Sequence, residues 1–422
     1  MLERLRSSRL ANGIHVVSYE IPDAEEVKFY ILLRVGGRNE SAELSGASHF
    51  IEHMFFKGTP RRNAKEISQA IESLGGYANA ATACETTVLY AKVPYEKAGV
   101  AVDVLADLLY NASFDPKELA SERDVILSEI QMCDDQPDQV AFEANHAQLW
   151  PNHPLGRPIA GTAESVQTLT RSALLAHLKR HYIPANTLFA FSGRIDHDTC
   201  RRLVAPYAAK KRNPRILPQP VPFDSAAPHV PLQVIERDVR QTQLVFGWRT
   251  PGTDDLRENA ILRVLSALLG ATSMSRLFQS VRERRGLCYA ISSSCISRRD
   301  TGAFLISTGC FPEKARLCAK AIADEVRRLR ERPVPAAELR RTLDYCRGSF
   351  RLHVDMFWAA GRLLAGLPAD PVAELEKLNA VTAADLQEAA RRYLTPERLA
   401  LTVLTPKDAG HGPDVWQPLF RH

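Results

Sequence analysis

The order of elements in this chain is written twice, on either side of one stretch, KKRNPRILPQPVPFDSAA (210–227). That stretch is rich in Pro and basic residues and has no hydrophobic period, so it reads as a linker. Before it, apolar or alternating runs predict strands over 14–19 and 27–35, paired as a hairpin, with a turn at Asn12-Gly13. Helices follow over 46–58 and 63–74, then two strands rich in Ala and Thr (77–83, 85–93) and a long amphipathic helix from 94. Asp115-Pro116 opens a further helix, with Asp as cap and Pro in the first turn. After the linker the series restarts: strands over 232–237 and 243–249, helices over 259–269 and 275–285, strands over 288–297 and 302–309, then long helices from 312 and 335. A repeat on this scale implies one supersecondary design used twice. The fold class is therefore α+β in two homologous domains, each a mostly antiparallel sheet packed with helices. The expected limits are 1–212 and 231–422, with 213–230 between them.

Only the first copy carries a chemical motif. In GASHFIEHMFFKGT (46–59), His49, Glu52 and His53 stand as His-x-x-Glu-His. On a helix, positions four apart share a face, so both imidazoles can reach one cation, with Glu52 beside them. Zinc takes two imidazoles and a carboxylate and keeps a fourth position for water, whose proton a neighbouring carboxylate can accept. The order is the reverse of His-Glu-x-x-His and is the inverzincin signature. The third ligand has to come from elsewhere. Glu122 and Glu129, seven apart on the helix that begins at Pro116, share one face and are available.

Composition narrows the class. The 54 basic and 49 acidic residues are spread along the chain, so the net charge of +5 marks no nucleic-acid surface. Eight cysteines without paired spacing favour a reducing compartment. The start lacks the apolar core of a signal peptide, its Glu3 argues against a transit peptide, and no apolar run reaches spanning length. The expectation is a cytoplasmic protein with no membrane partner.

The motif, its flanks and the duplication together resemble the pitrilysin-type zinc metallopeptidases. The likeness is to the short-subunit group that includes the mitochondrial processing peptidase subunits and their bacterial relatives. It is carried by GASHFIEHMFFKGT, GGYANAATACETTVLY (75–90), ERDVILSEIQ (122–131) and SRLFQSVRERRGLCY (275–289). The resemblance implies Glu129 as the remote zinc ligand, Glu122 as a supporting acid, Glu52 as catalytic base and one zinc ion per chain. It implies that Asn79, Ala80, Ala81 and Thr82 belong to a strand whose edge receives the substrate backbone. Read alone, those four are also compatible with an ordinary interior strand. It further implies that Arg282 and Tyr289 serve as donors to the substrate carbonyl. On residue type alone they would be a helix-end cation and a strand residue.

The family encloses peptide in a clamshell of four such domains. This chain supplies two, half of the clamshell, so a homodimer or a heterodimer with a homologous subunit is implied. The leading expectation is a zinc metalloendopeptidase acting on peptides or unfolded segments. Two other readings fit the same residues. One is a non-catalytic or scaffolding subunit of the family. The other is a dedicated processing peptidase for a small precursor peptide, working with an inactive partner subunit.

Overall fold

The computed structural model describes residues 4–208, 213, 217–253 and 255–420. Residues 209–212 and 214–216 of the expected linker region lie outside the described residues. The chain forms two compact units, each α+β. The first gathers Met1–Gln131, Arg157–Val221 and Val354–Pro371; the second gathers Met132–Gly156, Pro222–His353 and Val372–His422.

In the first unit six strands, β1 (Leu5–Arg9), β2 (His15–Glu20), β3 (Glu26–Leu33), β4 (Tyr77–Thr82), β5 (Thr87–Pro94) and β6 (Thr187–Gly193), make a sheet in the order β1-β2-β6-β3-β5-β4. Only β2 and β6 run parallel. The second unit has β7 (Leu232–Arg237), β8 (Thr242–Thr250), β9 (Ala290–Ser297), β10 (Gly302–Cys310) and β11 (Ala400–Pro406), in the order β7-β11-β8-β10-β9. Again a single pair, β11 with β7, is parallel. Strand for strand, β2-β6-β3-β5-β4 is the same topology as β7-β11-β8-β10-β9, so the repeat in the sequence is a repeat in the fold.

Two local expectations are corrected. β2 and β3 are not hairpin partners, because β6 lies between them. All seven residues of β6 are buried, and an apolar strand buried on both faces takes a central place whatever its position in sequence. β2 instead turns back on β1, through Gly13 at φ +95°. β1 forms ahead of the first strand expected from the sequence, which began at 14; its pattern, LRSSR, suits an exposed edge rather than a core strand.

Each unit is also completed by a segment from the far half of the sequence, where a single cut at 213–230 would separate them. The helix Met356–Leu364 covers one face of the first sheet, placing Met356, Ala360 and Leu364 against Val17, Leu32, Val88, Leu188 and Ala190. Conversely, the helix Pro137–Leu149 lies on β8 and β11, where Ala141 meets Val245 and Leu404. There the buried Asn145 amide donates to the carbonyl oxygens of Val245 (3.2 Å) and Ala400 (2.9 Å). Helical periodicity identifies the apolar face but not the sheet that receives it.

The main core of the first unit sits on the other face of its sheet. Val27, Phe29, Ile31 and Leu33 alternate along β3 and meet the helices Ala47–Phe55 and Ala98–Asn111. Among the described residues no helix is long and apolar enough to cross a membrane.

Candidate metal centre

The helix Ala47–Phe55 is fixed by its apolar side. Ala47, Phe50, Ile51, Met54 and Phe55 are fully buried. Each large side chain among them contributes about 1.5–3 kcal/mol by leaving water, which ties down the rotation of the helix. His49, Glu52 and His53 therefore share the remaining stripe.

The start of that helix is unusual. Gly46 occupies the cap position at φ +91°, and a Cβ there would lie 2.5 Å from the carbonyl oxygen of Ala160. With no side chain available at the cap, the carboxylate of Glu40 takes its place. It accepts from the backbone N–H groups of Gly46 (2.8 Å) and Ser48 (2.7 Å). Glu40 is buried, and burial pushes its carboxyl up to about 7 despite those bonds. The sequence reading missed Glu40. Its signal was an acidic residue shortly before a helix whose own cap residue is glycine.

The remote acids arrive on the helix Pro116–Asp134, begun as expected at Asp115, whose Oδ1 accepts from Lys117 N–H at 2.8 Å. Glu129 Oε2 lies 3.7 Å from His49 Nε2 and 3.5 Å from His53 Nε2. One ligand atom from each of the three residues falls within 4.8 Å of the others. On the other side of the His53 ring, Nδ1 lies 3.6 Å from Glu122 Oε1. Glu122 is buried and ion-paired with Lys57, a partner that the sequence reading did not identify.

The electrostatics suit a cation. Burial lowers both His49 and His53 to about 4, with His49 adding to the effect on His53, so both rings are neutral and offer lone pairs at neutral pH. Separations of 3.5–3.7 Å between nitrogen and carboxylate oxygen are too long for hydrogen bonds. They are close to the roughly 3.4 Å that separates ligands around a tetrahedral zinc with bonds near 2.1 Å. The donor set of two imidazoles and one carboxylate is likewise one that zinc accepts, so the residues fit the ion.

Glu52 stands beside this set without joining it. Burial raises its carboxyl, the nearby polar groups of Thr82 lower it, and the charge of Glu129 raises it again. Its Oε2 is buried with no hydrogen-bond partner. A buried carboxylate oxygen without a donor is a ready acceptor for a proton.

Thr82 closes β4, the edge strand of the first sheet. Of the four residues expected to line a substrate edge, Asn79 and Ala81 are exposed on one face, while Ala80 is buried in the core and Thr82 turns toward Glu52. Asn79 Oδ1 accepts from Ala80 N–H at 2.8 Å.

Arg282 and Tyr289 belong to the second unit, where the structure brings them together. Arg282 lies in the π-helical turn Phe278–Glu283, its guanidinium 4.3 Å from the Phe278 ring centroid and 5.2 Å from that of Tyr289. Tyr289 is 83% exposed, an unusual position for a large aromatic side chain.

Residues 15–163 match the family described as insulinase (peptidase family M16), and residues 168–345 match its peptidase M16 inactive domain. A protein of Rickettsia felis named an uncharacterized zinc protease is 32% identical over 336 residues, covering 79% of this chain and 80% of that one. A Bacillus subtilis protein of the same description is 30% identical over 405 residues, 94% of this chain and 97% of that one. Among solved structures, a protease from Helicobacter pylori superposes with a TM-score of 0.90 over 96% of this chain and 100% of that one, at 21% identity.

Proposed function

This chain belongs to peptidase family M16, and from that premise we propose that it is a zinc-dependent endopeptidase acting on peptides or unfolded segments. The observation that carries the reading is the convergence of His49, His53 and Glu129, from two helices some 76 residues apart in sequence, on one point. Those three residues would hold one zinc ion, which supplies Lewis acidity to a carbonyl oxygen and to water. Glu122, held by Lys57, orients the His53 ring from its Nδ1 side.

Glu52 is the proton carrier. Its unpartnered Oε2 accepts a proton from the attacking water and returns it to the leaving amine, and its raised basicity suits both transfers. The exposed row of β4 offers main-chain groups to an extended peptide, which recognises backbone more than side chain. Arg282 and Tyr289 act as donors to the carbonyl oxygen as it gains charge. The closed chamber needs a second, homologous subunit, and free thiols throughout suit a cytoplasmic setting.

The test is Glu52→Gln. Zinc content stays at one per chain, while cleavage of an unstructured peptide falls about 10²–10⁴-fold, the range for loss of a general acid–base. Cleavage at the parental rate contradicts the role given to Glu52.

A further inference from the structure

The repeat that shapes both units is broken at one place. In the first unit β6 leads into the helix His197–Ala208, which packs against the helix Ala98–Asn111. Cys200 and Val204 are buried in the core, and Leu203 and Tyr207 pack against it. A Cβ on Gly99 would lie 3.5 Å from Leu203 Cδ2, and the Tyr207 hydroxyl donates to Asp103 Oδ1 at 2.5 Å. The apolar positions 200, 203, 204 and 207 form the stripe of an amphipathic helix.

The second unit repeats the receiving helix but not its guest. Glu96-Lys97-Ala98 and Glu313-Lys314-Ala315 open the two long helices alike, so Arg316 stands where Gly99 does and Lys320 where Asp103 does. β11, the counterpart of β6, is followed by the short turns Pro413–Val415 and Gln417–Phe420 in place of a full helix. Between those turns and the helix Ala315–Glu331 runs a groove of about 520 Å³, wholly within the second unit. Val415, Trp416 and Leu419 line one side. Leu317, 60% exposed, lines the other, whereas its counterpart Val100 is packed against the core.

The charge of the groove is uneven. Asp324 and Arg327 neutralise each other at 2.8 Å. Arg316 and Lys320, one helical turn apart, both line the groove, and among the described residues neither side chain makes a hydrogen bond or an ion pair. Glu313 is the carboxylate left to set against these two cations. Their long stems extend the apolar surface while their heads select a negative partner.

We propose that the groove receives an acidic amphipathic helix of a partner protein, seated on the helix Ala315–Glu331 as His197–Ala208 is seated on Ala98–Asn111. Apolar residues of the guest, spaced i, i+3, i+4 and i+7, cover Leu317, Val415 and Leu419, and carboxylates on its flank meet Arg316 and Lys320. The internal repeat argues for a helix as occupant, and the two uncompensated cations argue for an acidic one. This docking is separate from peptide cleavage and does not depend on the peptidase reading.

The experiment uses the full chain carrying Glu52→Gln, so that bound peptide is not consumed. The probe is a fluorescein-labelled helix of about 15 residues, built of Leu in the i, i+3, i+4, i+7 pattern with Glu elsewhere; a second probe has Lys for every Glu. At physiological salt the Glu probe binds saturably and about tenfold or more tighter than the Lys probe. Its binding slows hydrogen exchange over 313–327 and 413–419. Arg316→Glu combined with Lys320→Glu, both at exposed positions, leaves thermal melting unchanged and reverses the preference between the probes. No saturable binding of the Glu probe, equal binding of the two probes, or an unchanged preference in the double variant overturns the proposal. It is overturned in favour of a second copy of the chain if exchange over the same segments slows with protein concentration alone. It is overturned in favour of a membrane surface if vesicles of phosphatidylcholine and phosphatidylglycerol bind the parent but not the double variant while the Glu probe stays free.

Discussion

The helix Ala47–Phe55 in the first unit and the helix Leu256–Leu269 in the second occupy corresponding places, each following the long strand, β3 or β8, that runs through the middle of its sheet. In the second, Ala260 through Leu262 and Val264 through Leu269 are all buried, and the helix is simply a piece of core. In the first, the buried face is kept, and three positions on the opposite stripe have become His49, Glu52 and His53. The topology is common to both units and the chemistry is not. A fold can carry a site without depending on it, provided that the apolar face alone fixes the element.

The sharpest break in that comparison should come from paired substitutions. His53→Ala should lower zinc affinity by more than the 10–100-fold typical of losing an outer partner, with little change in melting, as read by titration against a competing chelator. Leu265→Ala should do the opposite, costing about 2–5 kcal/mol in chemical denaturation while zinc bound per folded chain is unchanged. Loss of zinc from the second variant, or of stability alone from the first, would dissolve the distinction between the two helices.

Acid separates the units next. Burial lowers His15 and His181 to about 4 and His177 to about 3 in the first unit, and His146 to about 4 in the second. A histidine whose folded value is depressed stabilises the fold above its unfolded value of about 6.5, and that contribution is lost as pH falls toward about 4. His49 and His53 act in the same direction when free of metal. The first unit, with more such groups, should therefore loosen before the second between pH 6.5 and 4. Hydrogen exchange of peptides from each unit at stepped pH reads this directly, and equal loosening would count against it.

The smallest effect concerns the start of the site helix. Glu40→Ala leaves the N–H groups of Gly46 and Ser48 without their acceptor and should cost about 1–3 kcal/mol. In the second unit the corresponding helix is capped locally by Asp255, its side chain accepting from Glu258 N–H.

These same features mark what the sequence could convey. The duplicated order of elements was legible because periodicity and turn residues act locally, and the metal helix because its spacing is a helical spacing. The place of β6 between β2 and β3, and the helix that each unit takes from the other half of the chain, depend on long-range pairing and leave no local trace. Glu129 was selected by resemblance; from pattern alone it was one of two acids on a helix face. Glu40 and Lys57 were missed because each acts through a partner that only folding supplies. Thr82 was grouped with an exposed edge, although the alternation of β4 turns it inward, toward Glu52.

The central claim is that one cation is gripped by His49, His53 and Glu129. Crystals of the zinc-loaded protein, measured on either side of the zinc absorption edge, test it most directly. The account predicts one anomalous peak per chain in the first unit, within about 2.0–2.2 Å of His49 Nε2, His53 Nε2 and a Glu129 oxygen. A map with no peak there, or a zinc ion bound by the histidines with Glu129 turned away, would contradict it.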